Sequence, residues 1–267
     1  MKPVLSSPDY VFVLESIVSA GKILLKTNNA VVHEKRHSMD LVTQADLDSE
    51  QFLRQALTKQ FPHTGFYSEE TAKDSEDELR KDLVWVVDPL DGTLQFTRGL
   101  TFYGVSVGLV KEGKAVAGFL YFPVLNELYH SQKGNGAFVG KKRIYIEHRE
   151  YPRKTFGVLS YSGISDQQQI ALHTKFIEEK LIMLRIGSSI FHTAHTAAGQ
   201  YDLYVGVNQA LWDIAGGWNI VEEAGGKVEV CQIDESIKAT GDHYHYSFIA
   251  ANKEIVELGA LLHDYTK

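Results

Sequence analysis

The chain has 267 residues, 44% hydrophobic and 23% charged, with a formal net charge of −7. It can bury a large core as one domain or two tightly joined halves, and its acidic balance argues against nucleic acid as the main ligand, since phosphate backbones need a basic patch. The single Cys231 excludes an intramolecular disulfide, and the lack of a long apolar run, a signal-peptide order or an Asn-x-Ser/Thr sequon points to a cytoplasmic protein with no membrane span.

Apolar positions at helical spacing (Val11, Leu14, Ile17, Val18, Ile23, Leu24) predict a first helix over about 9–28. A second is expected from Ala45 to Gln60, with Phe52, Leu53, Ala56 and Leu57 as its buried stripe and Phe61-Pro62 ending it. Gly65 to Ser68 reads as a short strand leading into Glu69 and Glu70. Val84 to Val87 reads as a core strand, and Pro89, with no N–H to donate, is expected to stop its ladder. Antiparallel strands follow at Phe102–Val110, Ala115–Phe122 and Glu127–Ser131, with Lys141-Lys142-Arg143 as a solvated hairpin tip. Charged residues 145–155 form a soft boundary, after which strands and helices alternate. Strands are expected at Phe156–Ser160, Ile182–Ile186, Leu203–Val207 and Phe248–Ala251. Helices are expected near 166–179, at Ser188–Ala198, at Leu211–Ala224 closed by Gly225-Gly226, and near 253–264. Layers of helix and sheet in alternation are the predicted architecture.

The chemistry concentrates at Asp88-Pro89-Leu90-Asp91-Gly92-Thr93. Two carboxylates delivered together to a strand end repel unless a cation lies between them. Gly92 permits close approach of a ligand to the backbone, and Thr93 adds a hydroxyl. Glu69-Glu70, Asp46 and Asp213 also fall at the ends of predicted core elements. Taken alone, Asp46 and Asp213 read as helix caps and the Glu pair as solvated surface; the conjunction raises them. Carboxylates and carbonyls suit Mg²⁺. No cysteine–histidine cluster with zinc spacing competes, and His192 with His195, lacking a His-Glu-x-x-His arrangement, reads as structural or substrate-proximal.

Helix N-termini form a second theme. Gly92-Thr93, Gly187-Ser188-Ser189 and Asp213 each open a segment, and together they could hold a phosphate group, with Arg185 as an anion partner or a solvated edge charge. Gly134-Asn135-Gly136 misses the dinucleotide spacing and reads as a turn. There is no nucleotide-triphosphate loop and no Asp-x-Asp-x-Asp-Gly calcium loop. An aspartyl-nucleophile phosphatase of the haloacid dehalogenase type would want Asp-x-Asp-Gly-Thr near the N-terminus, whereas here two residues separate the acids.

These motifs, in this order, resemble the inositol monophosphatase family of lithium-sensitive, Mg²⁺-dependent phosphatases. The family's Asp-Pro-hydrophobic-Asp-Gly-Thr stands at Asp88–Thr93, and its Trp-Asp-x-Ala-x-Gly at Trp212-Asp213-Ile214-Ala215-Gly216-Gly217. Its Glu-Ala-Gly-Gly stands at Glu223–Gly226, and Asp40-Leu41-Val42-Thr43 with Asp46 and the Glu69-Glu70 pair also match. The resemblance implies an αβαβα sandwich of the inositol monophosphatase/fructose-1,6-bisphosphatase type, α+β in residues 1–150 and α/β in 151–267, forming a single domain that is often a homodimer. It implies Glu69, Asp88, the Leu90 carbonyl, Asp91 and Asp213 as metal ligands, Thr93 and Asp46 polarising the water, and Asp91, Gly92, Thr93, Gly187, Ser188, Ser189 and Asp213 holding phosphate and substrate. Inositol-1-phosphate is the leading substrate; fructose-1,6-bisphosphate, histidinol phosphate, NADP and 3′-phosphoadenosine phosphates are used by related folds. A regulatory, protein-binding role is the reading from another class. Two departures stand out: Gln95 replaces the usual Asn, and Gly206 stands where inositol-specific members carry a Glu that contacts the polyol.

Overall fold

The computed structural model of the chain describes residues 3–27, 33–34, 41–146, 156–232 and 245–251. Helix α1 (Ser7–Lys26) is capped by Ser6, whose hydroxyl accepts the Asp9 N–H. Its buried face is Val13, Ile17, Ala20, Gly21 and Leu24, while Val11, expected inside, is half exposed. The face turns this way because Gly21 packs directly on the Tyr121 ring, leaving no room for a Cβ. A two-residue pair, β1 (His33–Glu34) and β2 (Leu41–Val42), precedes α2 (Gln44–Gln60). On α2 the buried stripe is Ala45, Asp46, Ser49, Glu50, Leu53 and Leu57. Its apolar part lies in the core and its polar part faces the strand ends; Phe52 and Ala56 are only half buried.

A seven-stranded sheet comes next: β3 (Gly65–Ser68), β4 (Leu83–Asp91), β5 (Gly104–Lys111), β6 (Lys114–Phe122), β7 (Glu127–Gln132), β8 (Ala137–Val139) and β9 (Lys142–Ile144), ordered as numbered. All neighbours are antiparallel except β3 and β4. A short 3₁₀ segment, Glu69–Asp74, leaves β3, and the five-residue α3 (Thr93–Thr97) leaves β4. The expected end of the β4 ladder at Pro89 is not observed. Pairing with β5 is irregular between Asp88 and Asp91 and resumes at Asp91 opposite Gly104. A bulge is where a strand can carry a proline. Here the side chain of Asp88 accepts the Leu90 N–H (3.0 Å) and Ser49 donates to the Pro89 carbonyl (3.0 Å).

The second sheet runs β11–β10–β12–β14–β13, from β10 (Phe156–Tyr161), β11 (Ile182–Leu184), β12 (Leu203–Ala210), β13 (Lys227–Gln232) and β14 (His245–Ala251). Its helices are α4 (Asp166–Glu178), α5 (Ser189–Ala197) and α6 (Leu211–Glu223). Strand β13 has no counterpart in the expected elements. The predicted terminal helix near 253–264, and most of the soft boundary at 145–155, lie outside the described residues.

Helices α1 and α2 cover one face of the first sheet, with Ile17, Leu24, Leu53 and Leu57 meeting Trp85, Val107 and Phe119. The other face carries α6, which comes so close that a Cβ on Gly118 would lie 2.0 Å from the Gly216 carbonyl oxygen. Helices α5 and α6 fill the space between the sheets, with Ile190, Ala194, Ile214 and Ile220 against Phe122, Tyr204 and Phe248. Leu172 and Phe176 of α4 close the outer face of the second sheet. The result is the expected αβαβα layering.

Candidate active site

The parallel register of β3 and β4 pairs Ser68 with Val87, so β3 ends partway along β4 and Glu69 leaves it beside Asp88. On a regular strand, residues three apart point to opposite faces. The irregularity at Pro89 cancels that parity and brings Asp91 into line with Asp88. The third acid arrives from the other sheet: β12 ends at Ala210, and Asp213 sits in the first turn of α6, where its carboxylate accepts the Ala210 N–H (2.8 Å). Carboxylate oxygens of Asp88, Asp91 and Asp213 all lie within 4.8 Å of one another. A cleft of about 300 Å³ exposes them together with Glu69, the Leu90 main chain, Gly92, Thr93 and Gly187.

The site is electrostatically costly. Burial, then Glu69, Asp91 and Asp213, hold the Asp88 carboxyl well above the ordinary carboxylate range. Burial, then Asp91 and Glu69, do the same to Asp213. Burial raises Asp91 to about 6, offset in part by hydrogen bonds from Ser188, Ile190 and Ser189. A divalent cation among these oxygens removes the repulsion, and an all-oxygen donor set suits a hard ion. The residues present fit such a metal.

Asp46 is fully buried and caps α2 with one oxygen, Oδ2, which accepts the Thr43 N–H (2.8 Å) and hydroxyl (2.5 Å). Its other oxygen, Oδ1, lies 3.4 Å from the Thr93 hydroxyl, which is also 3.1 Å from the Leu90 carbonyl. The capping and the chemical readings of Asp46 therefore coexist on different oxygens, and Asp213 likewise combines a capping bond with a place among the acids.

The α5 N-terminus differs from expectation. Its donors do not stand open for a phosphate: Ser188 donates its hydroxyl to Asp91 Oδ2, while the Ser189 and Ile190 N–H groups donate to Asp91 (3.3 Å each). The positive end of the helix thus holds a carboxylate of the chain itself, which is what keeps Asp91 from rising further. Gly187 remains on the cleft wall. Its φ of +82° favours glycine, and a Cβ there would lie 2.4 Å from the Gln95 amide nitrogen and push that side chain aside. Gln95 donates to the Ile186 carbonyl (2.7 Å), so the amide ties the two halves together.

Sequence reasoning missed Ser49 and Glu50. Glu50 is buried; its carboxylate accepts the Glu70 N–H (3.1 Å) and the Thr71 hydroxyl (2.8 Å), fixing the segment that carries Glu69. The signal was available, because Ser49 and Glu50 follow Asp46 by three and four positions on one helix face. His192 and His195 take structural places. His192 Nε2 accepts the Ile186 N–H (3.2 Å), and burial pushes its pKa down to about 3. His195 donates from Nδ1 to the Phe191 carbonyl and stacks on that ring. At Gly206 the space a longer side chain would need is taken: a Cβ there would meet Gln209 Cγ at 2.8 Å and Tyr204 Oη at 2.9 Å.

The sequence profile of the inositol monophosphatase family matches residues 7–265. The inositol-1-monophosphatase of Caulobacter vibrioides is 34% identical over 230 residues, covering 83% of this chain and 86% of that protein. The Nus factor SuhB of Pasteurella multocida is 34% identical over 196 residues, 71% of each chain. Among solved structures, the extragenic suppressor protein suhB from Bartonella henselae superposes with a TM-score of 0.79 at 28% identity, covering 96% of this chain and 98% of that one.

Proposed function

Because this chain belongs to the inositol monophosphatase family of phosphoric monoester hydrolases, we propose that it is a Mg²⁺-dependent phosphomonoesterase acting on a small phosphorylated metabolite, with inositol-1-phosphate as the leading substrate. The observation that carries this reading is the meeting of Asp88, Asp91 and Asp213 within 4.8 Å, beside Glu69 and the Thr93–Asp46 pair. In it, Glu69, Asp88, the Leu90 carbonyl, Asp91 and Asp213 hold the metal. Mg²⁺ bound there supplies a Lewis acid that neutralises phosphoryl oxygens and acidifies water.

The chain's own groups position the reaction. The Thr93 hydroxyl proton points to the Leu90 carbonyl or to Asp46, which leaves its lone pairs to accept a hydrogen bond from the attacking water. With the hydroxyl turned to Asp46, Thr93 Oγ1 takes a proton from the attacking water as its own proton passes to Asp46 Oδ1. Gly92 and Thr93 bring backbone N–H groups against the phosphate, with Gly187 and Asp213 lining the substrate. Ser188 and Ser189 act one step back, by fixing Asp91. Positioning and charge neutralisation supply most of the rate in phosphoryl transfer. Without a carboxylate at Gly206, the polyol is held less selectively than it would be with one there.

The chain is taken to work as one domain, as a homodimer, in the cytoplasm; among the described residues no helix is long and apolar enough to cross a membrane. Mg²⁺-dependent phosphate release from inositol-1-phosphate, lost in Asp91→Asn, is the expected result, and full activity in that variant overturns the site. A second reading, a protein-binding regulatory role with secondary phosphatase activity, is favoured by the likeness to Nus factor SuhB. A protein partner retained in pull-down by Asp91→Asn supports it; no recovered partner counts against it.

A further inference from the structure

The second sheet gives the cleft a wall unlike the acidic one. Ser160 and Tyr161 end β10, Ser162 follows, and Arg185 follows β11; all four line the cleft, and among the described residues that line it Arg185 is the sole cation. None of the roles proposed above for the phosphate and the attacking water falls to it. Though solvent-exposed, Arg185 is not extended into water. Its guanidinium lies 3.9 Å over the Tyr161 ring centroid, and Nη1 donates to the Tyr161 hydroxyl at 2.7 Å. Tyr161 is itself steadied by His173, 3.4 Å from its hydroxyl. The adjoining loop is pinned by Asn208, whose side-chain N–H donates to the Ser162 carbonyl (2.7 Å). Behind it on β12, Gly206, paired with Ser160, carries no carboxylate, and the buried Gln209 amide is already satisfied: its oxygen accepts from Ser189 and Tyr204, and its N–H donates to the Val207 carbonyl. The wall is therefore one oriented cation among neutral hydroxyls.

Such a wall discriminates by charge. A neutral polyol finds hydroxyl partners in Ser160 and Ser162 and leaves Arg185 idle. An alcohol portion bearing its own oxyanion presents oxygens to a planar fork of N–H donors, whose geometry matches phosphate and carboxylate. The side chain is held by ring stacking before any ligand arrives, so less conformational entropy is lost on binding than for a free arginine. We propose that Arg185, positioned by Tyr161, reads a second oxyanion on the alcohol portion of the substrate, so that the enzyme favours phosphate esters carrying a further phosphate or carboxylate over esters of neutral polyols. This rests on the phosphomonoesterase reading of the same cleft, and within that reading it ranks inositol-1-phosphate, an ester of a neutral polyol, below esters with a second oxyanion.

Two matched pairs test it with the Mg²⁺-loaded enzyme: fructose-1,6-bisphosphate against fructose-1-phosphate, and 6-phosphogluconate against glucitol-6-phosphate. The quantity read is the ratio of kcat/KM within each pair. A partly solvated charge-assisted contact gives a preference of several-fold to about tenfold. In Arg185→Gln the ratio is expected to fall to near one, through KM rather than kcat; Arg185→Lys, which keeps the charge and loses the fork, retains part of it. A preference in one pair alone supports the inference and identifies the oxyanion as phosphate or carboxylate. No preference in either pair, or a ratio unchanged in Arg185→Gln, overturns the subsite while leaving the phosphatase reading intact. Absence of Mg²⁺-dependent hydrolysis of all four esters and of inositol-1-phosphate overturns the phosphatase reading, and this inference with it.

Discussion

Replacing Asp213 by Asn is expected to make the metal-free protein more stable and the enzyme inactive. The carboxylate oxygens of Asp213, Asp88 and Asp91 lie within 4.8 Å. Two unit charges at that separation repel by about 3–4 kcal/mol at an effective dielectric constant near 20. Part of this is already relieved, since burial and the neighbouring acids raise the Asp213 carboxyl well above its ordinary value and so favour its protonated form. The net gain from removing the charge is therefore smaller, about 1–3 kcal/mol. Asparagine keeps the capping bond, because its amide oxygen can accept the Ala210 N–H as the carboxylate does. For a chain of this length the gain corresponds to a rise in Tm of roughly 2–6 °C. The pH dependence has a definite sign. A carboxyl whose folded-state pKa is raised leaves stability intact below its unfolded value near 4 and removes it as pH rises through the folded value. The advantage of Asp213→Asn should thus be absent near pH 4 and grow as pH rises above it, because the folded-state carboxyl is raised well above its ordinary value. Adding Mg²⁺ works the other way: wild type at a hundredfold excess over Kd gains about 2.7 kcal/mol, enough to offset most or all of the variant's advantage, and the variant gains little. Thermal unfolding in chelator and in Mg²⁺ across that pH range reads all of this. A variant less stable than wild type without metal at neutral pH, or one stabilised as much by Mg²⁺, refutes the argument.

Other substitutions probe separate links. Thr93→Val should lower kcat about a hundredfold or more with KM little changed, because the lost hydroxyl orients the water and not the ester; steady-state kinetics check it. Glu50→Gln weakens the acceptor that fixes Glu70 and Thr71, so the Mg²⁺ concentration for half-maximal activity should rise about tenfold, as loss of a residue supporting a ligand does. Gly118→Ala puts a methyl 2.0 Å from the Gly216 carbonyl oxygen, backbone that cannot swing aside. Overpacking of this kind should cost about 1–3 kcal/mol or more, read as a lower denaturation midpoint with unchanged slope.

Much of the layering was legible because α2, β5, β6, β7 and α6 carry their periodicity and their punctuation locally. The face buried by α1 was not, since Gly21 against Tyr121 is a contact between residues a hundred positions apart. Pro89 shows a local rule overridden. Its missing N–H predicts the end of a ladder, yet a bulge tied by Asp88, Leu90 and Ser49 carries the strand on to Asp91. In the sequence Arg185 read as an anion partner or a solvated edge charge; that it stacks on Tyr161 depends on β10 and β11 lying side by side.

By itself, the sequence determined which chemical groups the protein has and where they fall on elements: Asp88 and Asp91 at a strand end, Asp46 and Asp213 in first helical turns, and glycine at Gly92 and Gly187. Those are local properties of propensity, turn residues and spacing. Only the tertiary structure decided that Asp213, from a helix between two sheets, meets the β4 acids, and that the α5 N-terminus grips Asp91 instead of standing open. It also decided that Gln209 fills the space beside Gly206. Each of these depends on distances between segments about a hundred residues apart or on how side chains share a buried volume, and neither is encoded in the periodicity of any one segment.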